Sequence, residues 1–267
     1  MSKKKQRSSK DRQIEILKDQ LEKNGVAMAE DKKRKNWSVH DIKTIRPLNE
    51  PQEQMFRSYF QGNHVIANGS AGTGKTFAAL YLALNDILSK ERPQKKLIIV
   101  RSPVTTRDIG HLPGTREEKL EPYENPYRDI LSDLVGNLNT YDDMKEARVI
   151  EFMPTSHIRG LNWDDCVVVV DEVQNLNFHE INSVITRLGE GSRLIVVGDL
   201  IQSDLYKTKF DSSGMDKFLE IAEKVSEFDE VMFGPHDIVR SDFVKSWICA
   251  LEDHEGIAGK VNLAKAS

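Results

Sequence analysis

The stretch Gly69, Ser70, Ala71, Gly72, Thr73, Gly74, Lys75, Thr76 reads G-x-x-x-x-G-K-T, and it lies between an apolar run, His64 to Asn68, and a helix-forming run, Phe77 to Leu84. A strand, a glycine-rich turn and a helix in this order make a cradle for a phosphate chain. Successive backbone N–H groups turn inward only where glycine frees the backbone, and the helix start adds unpaired N–H groups and the positive end of its dipole. The pattern predicts Lys75 against the β- and γ-phosphates of a nucleotide and Thr76 as a ligand of Mg²⁺. The loop residues from Gly69 to Thr76 are therefore the expected binding residues for ATP, and an α/β fold has to be built around them.

A second landmark is Cys166-Val-Val-Val-Val-Asp171-Glu172, a wholly apolar strand that ends in two carboxylates. In open α/β sheets, ligands gather at the carboxyl ends of strands, the end at which the phosphate loop also lies. Asp171 is expected to hold Mg²⁺ or its water shell, and Glu172 to take a proton from the water that attacks the γ-phosphate. A third apolar strand, Arg193 to Val197, leads into Gly198, Asp199 and then Gln202. By spacing alone Gln202 is either a γ-phosphate sensor or a plain turn residue.

With 267 residues the chain has room for one α/β domain with extensions rather than two nucleotide-binding lobes. Its net charge of -4 gives no global basic field, so any nucleic-acid binding has to be local. The two cysteines, Cys166 and Cys249, make no disulfide framework, and Cys166 in its apolar run suits a buried thiol. No apolar stretch approaches the roughly 20 residues that span a bilayer, and the charged N-terminus does not run into a secretory signal, so the expectation is a cytoplasmic protein with no membrane partner.

Residues 1 to about 35 are rich in Lys and Arg, with Ile14, Leu17 and Leu21 at helical spacing. They predict a solvated extension with a short amphipathic helix near 11–23, or an arm for nucleic acid. Residues 37–47 read as a connector. Asn49 can cap a helix entered at Pro51, with Gln52 on its first turn and Met55, Phe56, Tyr59 and Phe60 as its apolar face. Further strands are expected at Leu97 to Val100, Arg148 to Phe152 and Glu230 to Phe233. Helices are expected near Tyr127 to Leu138, Phe178 to Leu188, Met215 to Val225 and Asp242 to Leu251. The span from Arg101 to Pro126, with Gly110, Pro113, Gly114, Pro122 and Pro126, reads as a long irregular, functional loop. Residues 1–47, 48–253 and 254–267 thus divide into extension, ATPase domain and tail.

With these landmarks placed, the sequence resembles the PhoH family, phosphate-starvation-type P-loop ATPases related to the first lobe of superfamily 1 helicases. The resemblance covers about residues 48 to 252. It rests on the phosphate loop, on Arg101-Ser-Pro103, Gly110-His-Leu-Pro-Gly114, Pro122-Tyr123 and Arg159-Gly160, and on Asp171-Glu-Val-Gln-Asn175, Thr186-Arg-Leu-Gly189 and Gly198-Asp199 with Gln202. Ser70 stands where the family usually has Pro, and Val173 where it usually has Ala. The resemblance implies that Gln52 reads the adenine edge and that Arg240, in Asp237-Ile-Val-Arg240-Ser241, reaches the γ-phosphate. It also implies that Arg107 and Arg159 lie in loops able to face nucleic acid.

The combined expectation is a three-layer α/β ATPase of RecA-like type with a mostly parallel sheet, using ATP and Mg²⁺ to remodel RNA or single-stranded DNA. Lys75, Glu172, Gln202, Arg240 and Arg187 are its catalytic set, and Thr76 and Asp171 hold the metal. Two rival readings are a small-molecule kinase on the same loop and a nucleotide-dependent structural module that turns over slowly. A superfamily 1 helicase uses two lobes, so a head-to-tail ring, most plausibly a hexamer, is expected to supply the second half, with Arg187 as the arginine offered to the neighbouring subunit.

Overall fold

The computed structural model describes residues 37–102, 116–158, 160–199 and 214–254. Six parallel strands form its sheet: β1 (His64–Gly69), β2 (Lys96–Arg101), β3 (Ile150–Pro154), β4 (Cys166–Val170), β5 (Arg193–Gly198) and β6 (Phe228–Phe233). Their spatial order is β3-β2-β4-β5-β1-β6. The strand that ends in Asp171 is thus separated from the phosphate-loop strand by β5, and the carboxyl ends of all three open on one edge of the sheet. This is the three-layer RecA-like architecture, with α-helices on both faces.

The short apolar runs become strands because both of their faces are covered. In β1, β2, β4 and β5 the odd-numbered residues, Val65, Ala67, Leu97, Ile99, Val167, Val169, Ile195 and Val197, enter one core. Ile66, Ile98, Val100, Val168, Val170, Leu194 and Val196 enter the other. Each fully buried aliphatic side chain contributes about 1.5–3 kcal/mol, so a one-residue slip in register would exchange the two cores and is strongly opposed.

The odd face is covered by α1 (Glu50–Gln61), α2 (Lys75–Leu88), α3 (Arg116–Val135) and α4 (Thr140–Glu146), and the even face by α5 (Phe178–Ile185) and α6 (Gly214–Ala222). The final helix, α7 (Asp242–His254), follows a turn at Pro235–Asp237. Asn49 caps α1 as expected, its side chain accepting from the Gln52 N–H at 2.9 Å. Residues 37–47, expected as a connector, lie on the odd-face core through buried Ile42 and half-buried Trp37, Val39 and Ile45.

The expected irregular stretch up to Pro126 is corrected from Arg116 onward, where α3 begins, with Pro122 and Pro126 inside it. Proline removes a hydrogen bond from a helix, but its fixed φ is itself helical. Here Tyr127, Leu131 and Leu134 are fully buried, and their packing offsets the missing bonds. α4 was not anticipated; it buries Tyr141 and Met144. β3 starts two residues later than expected because Arg148 is in the left-handed region at φ 60°, where the chain turns before it can pair. The predicted helix at 11–23 and the loops carrying Arg107, Arg159 and Gln202 lie outside the described residues. No helix among the described residues is long and apolar enough to cross a membrane.

Candidate nucleotide site

The phosphate loop turns at the end of β1 under a tight constraint from β6. Gly69 has φ 125°, and a Cβ there would lie 1.9 Å from the Phe233 carbonyl oxygen. The Ser70 N–H donates to that same oxygen at 2.9 Å. No other residue type fits at Gly69 without parting the two strands. At the other end of the loop Gly74 has φ 83° and a Cβ there would meet the Gln52 amide nitrogen at 2.7 Å.

Gln52 is therefore built into the loop's wall rather than solvated. It is 5% exposed. Its amide nitrogen donates to the Thr73 carbonyl at 2.9 Å, and its amide oxygen accepts from the Leu48 N–H at 2.9 Å. The segment after β6 joins the same cluster. Asn49 donates through Nδ2 to the Asp237 carbonyl at 2.8 Å, and the Val239 N–H donates to the Gly72 carbonyl at 3.0 Å. Arg240, exposed, lies beside Gly72, its Cγ 3.1 Å from where a Cβ of that glycine would stand. The structure thus brings Gln52, the loop and Arg240 together from three separate parts of the chain.

Lys75 opens α2 and is 7% exposed. Its ammonium donates to the carbonyls of Gly69 and Ser70 at 2.7 and 2.6 Å and to Thr73 Oγ1 at 3.3 Å. Burial lowers its pKa, while the carboxylates of Asp199, Glu172 and Asp171 pull it back up. A lysine held inside the loop by neutral carbonyls keeps its positive charge for an anion that enters the same cradle.

Thr76 and Asp171 meet across β1, β5 and β4. The Thr76 hydroxyl donates to Asp171 Oδ1 at 2.9 Å, and the Tyr127 hydroxyl, from α3, donates to Asp171 Oδ2 at 2.9 Å. Burial raises the Asp171 pKa, and so does the neighbouring Glu172 charge; the bonds from Tyr127 and Thr76 and the Arg101 guanidinium oppose the rise. A hydroxyl and a carboxylate side by side at a strand end are hard oxygen donors of the kind Mg²⁺ takes from a protein, the rest of its shell being phosphate and water.

Glu172 is at φ 54° and ψ 44°, the left-handed region that residues other than glycine seldom adopt. That turn directs the side chain to the loop end of the sheet. Gln174 Nε2 donates to Glu172 Oε2 at 2.5 Å, and Arg101 Nη2 is 3.9 Å from Glu172 Oε1. Gln174 Oε1 in turn accepts from the Asp199 N–H at 3.1 Å, so one glutamine ties the ends of β4 and β5 together. The carboxylate stays partly open, with 40% of the side chain exposed.

Arg187 is not part of this assembly. Its carbonyl accepts from the Trp163 N–H at 2.9 Å, ahead of β4 and β5 and so at the opposite edge of the sheet, and its buried Nε has no hydrogen-bond partner. Tyr127, Gln174 and Glu252 complete the surroundings of the loop without having been singled out from the sequence. Glu252, near the end of α7, is 6% exposed, and burial raises its pKa. No short-range spacing marks Tyr127 or Glu252, whereas Gln174 was legible as the fourth residue of Asp-Glu-Val-Gln.

A lysine-bearing loop between strand and helix, a Thr–Asp oxygen pair and a following carboxylate define a P-loop nucleotide-binding protein of NTPase type. The chain belongs to the PhoH-like protein family, which matches residues 44–252. It is 33% identical over 211 residues to a PhoH-like protein of Bacillus subtilis, covering 79% of this chain and 65% of that protein. It is 32% identical over 241 residues to Protein PhoH of Escherichia coli, covering 88% of this chain and 65% of that one. The chain thus spans slightly under two thirds of the length of these curated relatives. Among solved structures it is similar to a Sulfolobus solfataricus SWI2/SNF2 ATPase core in complex with double-stranded DNA, with a TM-score of 0.41 and 14% identity over 74% of this chain and 47% of that one.

Proposed function

We propose that the protein hydrolyses ATP to ADP and phosphate and couples the reaction to remodelling of RNA or single-stranded DNA. The observation that carries the hydrolytic half is the Thr76–Asp171 pair, with Glu172 on the next residue and partly open to water. Water has access to the Glu172 carboxylate, as a hydrolytic base requires; a kinase would hold an alcohol at the same place, and the acceptor dependence of phosphate release separates the two.

In this reading Lys75 and the loop N–H groups bind the phosphates, and Gln52 with the Asp237–Arg240 segment borders the base. Thr76 and Asp171 are the residues that would hold Mg²⁺, which when bound supplies positive charge against the β- and γ-phosphates. Glu172 orients a water and takes its proton as the water oxygen bonds to the γ-phosphorus and the bond to the β,γ-bridging oxygen breaks. Gln174 holds the carboxylate for that task, and Arg101 lies beside it. Gln202 is assigned to the γ-phosphate end and Arg240 to stabilising the charge within its own subunit. The assembly proposed is a head-to-tail ring, with six subunits favoured. Because Arg187 lies at the sheet edge opposite the loop, such a stacking is the way it would reach a phosphate, that of a neighbour.

Phosphate release measured with RNA, single-stranded DNA, duplex DNA and no nucleic acid tests the reading. Release without any alcohol acceptor, raised at least severalfold by one single-stranded partner, is expected. Release that requires an added acceptor would make the protein a kinase, and a rate indifferent to all nucleic acids would remove the coupling.

A further inference from the structure

The final helix is built inside out. α7 exposes Phe243, Trp247 and Leu251, one apolar stripe at i, i+4 and i+8, with exposures of 77%, 65% and 42%. Its single buried residue is the carboxylate-bearing Glu252. A helix held by ordinary packing does the reverse, because burying a carboxylate costs several kcal/mol unless an opposite charge or hydrogen bonds compensate.

The compensation comes from the phosphate loop. Lys75 draws on the Glu252 charge, and the Ser70 side chain eases it, while Asp199 repels it. The pairing is incomplete: Glu252 Oε2 and Ser70 Oγ are both buried without a hydrogen bond of ordinary geometry. Lys75 divides its three donors among Gly69, Ser70 and Thr73. Glu252 therefore sits as a poorly satisfied anion against the residues that bind phosphate.

Resting on the phosphate-loop reading above, we propose that α7 is an autoinhibitory latch, in which the Glu252 carboxylate competes with nucleotide phosphates for Lys75 and Ser70, so that a bound triphosphate displaces the helix. A triphosphate brings several negative charges into a space already holding Glu252, Asp199 and Asp171, and the like charges raise the free energy of any state that keeps both anions in place. α7 is the element best able to yield, since Glu252 is its one buried residue and the rest of its inward side, including Ile248 and Cys249, is only half-buried. Displacement carries the Phe243, Trp247 and Leu251 stripe with it, so nucleotide occupancy is reported on the outside of the protein.

The test is equilibrium binding of a fluorescent ATP analogue to the full chain and to Glu252→Gln, Glu252→Ala, Asp253→Asn and Lys75→Ala. Both Glu252 variants are expected to bind about fivefold or more tightly than wild type, the scale on which a competing contact couples to a ligand. Asp253→Asn, which removes an exposed charge one residue away, is expected to leave affinity unchanged. Lys75→Ala separates the two readings: if it binds like wild type, the loop assignment fails, and the latch with it. If it loses binding while Glu252→Gln and Glu252→Ala bind no tighter than wild type, the latch alone fails. A second readout uses the wild-type chain and needs no variant to fold. Cys249 lies on α7, half-buried, and Cys166 is buried in the sheet. Saturating nucleotide should speed alkylation of Cys249 severalfold; an unchanged or slower rate would overturn the displacement.

Discussion

The two edges of the sheet handle buried charge in opposite ways. At the amino edge, Arg193 is 10% and Asp86 3% exposed at the side chain, and their nitrogen and oxygen approach to 3.7 Å. The Tyr59 hydroxyl donates to Asp86 at 2.7 Å, the Arg193 guanidinium stacks 4.0 Å over the Tyr59 ring, and Arg193 donates to the Asn63 carbonyl at 3.0 Å. Burial and the Asp86 charge together push the Tyr59 pKa far above its ordinary value, so the hydroxyl remains a donor throughout. Arg193 and Asp86 are paired with each other and with Tyr59 inside the protein, although Arg193 Nε is buried without a hydrogen bond, and the cluster locks α1, α2 and β5 together. At the carboxyl edge Asp171, Glu172, Asp199 and Glu252 crowd around Lys75, and like charges raise one another's energy. An edge that is charge-complete serves the fold. One that gathers carboxylates beside a cradle of donors is poised for a cation and a polyanion, at a cost in stability.

The contrast breaks first on activity. Glu172→Gln is expected to lower the rate of phosphate release by about 10²- to 10⁴-fold, the range that a general base contributes, with nucleotide affinity within a few-fold of wild type and thermal stability equal or higher. Near-normal turnover in that variant would remove Glu172 from the chemistry. The matching change at the amino edge is Asp86→Ala. It leaves Arg193 and the Tyr59 hydroxyl buried without their carboxylate, and about 3–5 kcal/mol of unfolding free energy should be lost in urea titrations. A loss below about 1 kcal/mol would mean that the amino edge is not the structural lock described here.

How much of this was legible in the sequence follows the same division. The loop, the apolar strand into Asp171 and Glu172, and the Asn49 cap are local patterns, so their places in the chain were visible. The sheet order was not spelled out by those patterns, yet it is the order that sets Thr76 beside Asp171. Tyr127 was expected on a helix, but the prolines at 122 and 126 disguised that helix's start at Arg116, and the contact of Tyr127 with Asp171 is made through the tertiary fold alone. Glu252 was missed for a plainer reason: a glutamate near the end of an amphipathic helix reads as solvated, and nothing local says that the helix turns this residue inward. The charge cluster around Arg193 and Asp86 was likewise invisible, since its members come from α1, α2 and β5 and share no motif.

The smallest effect expected at the amino edge is a pH dependence from His64. Its Nδ1 accepts from the Leu194 N–H at 3.1 Å, which requires the neutral ring. Burial lowers the His64 pKa below its ordinary 6.5, the Arg193 charge on β5 lowers it further, and Glu227, just ahead of β6, partly opposes them. Between the lowered value and 6.5 the unfolded chain binds more protons than the folded one, so stability rises with pH through that window. It is fully present above 6.5 and declines as the pH falls toward the folded value. Thermal melts at pH 7.5 and pH 5 should show wild type losing roughly 2–4 °C more than His64→Asn, whose amide oxygen can accept from the Leu194 N–H without titrating. An equal loss in the two proteins would remove His64 as a source of acid sensitivity and make the amino edge indifferent to pH; Asp171 and Glu252 could not supply the loss instead, because carboxylates whose pKa is raised by folding add stability as the pH falls.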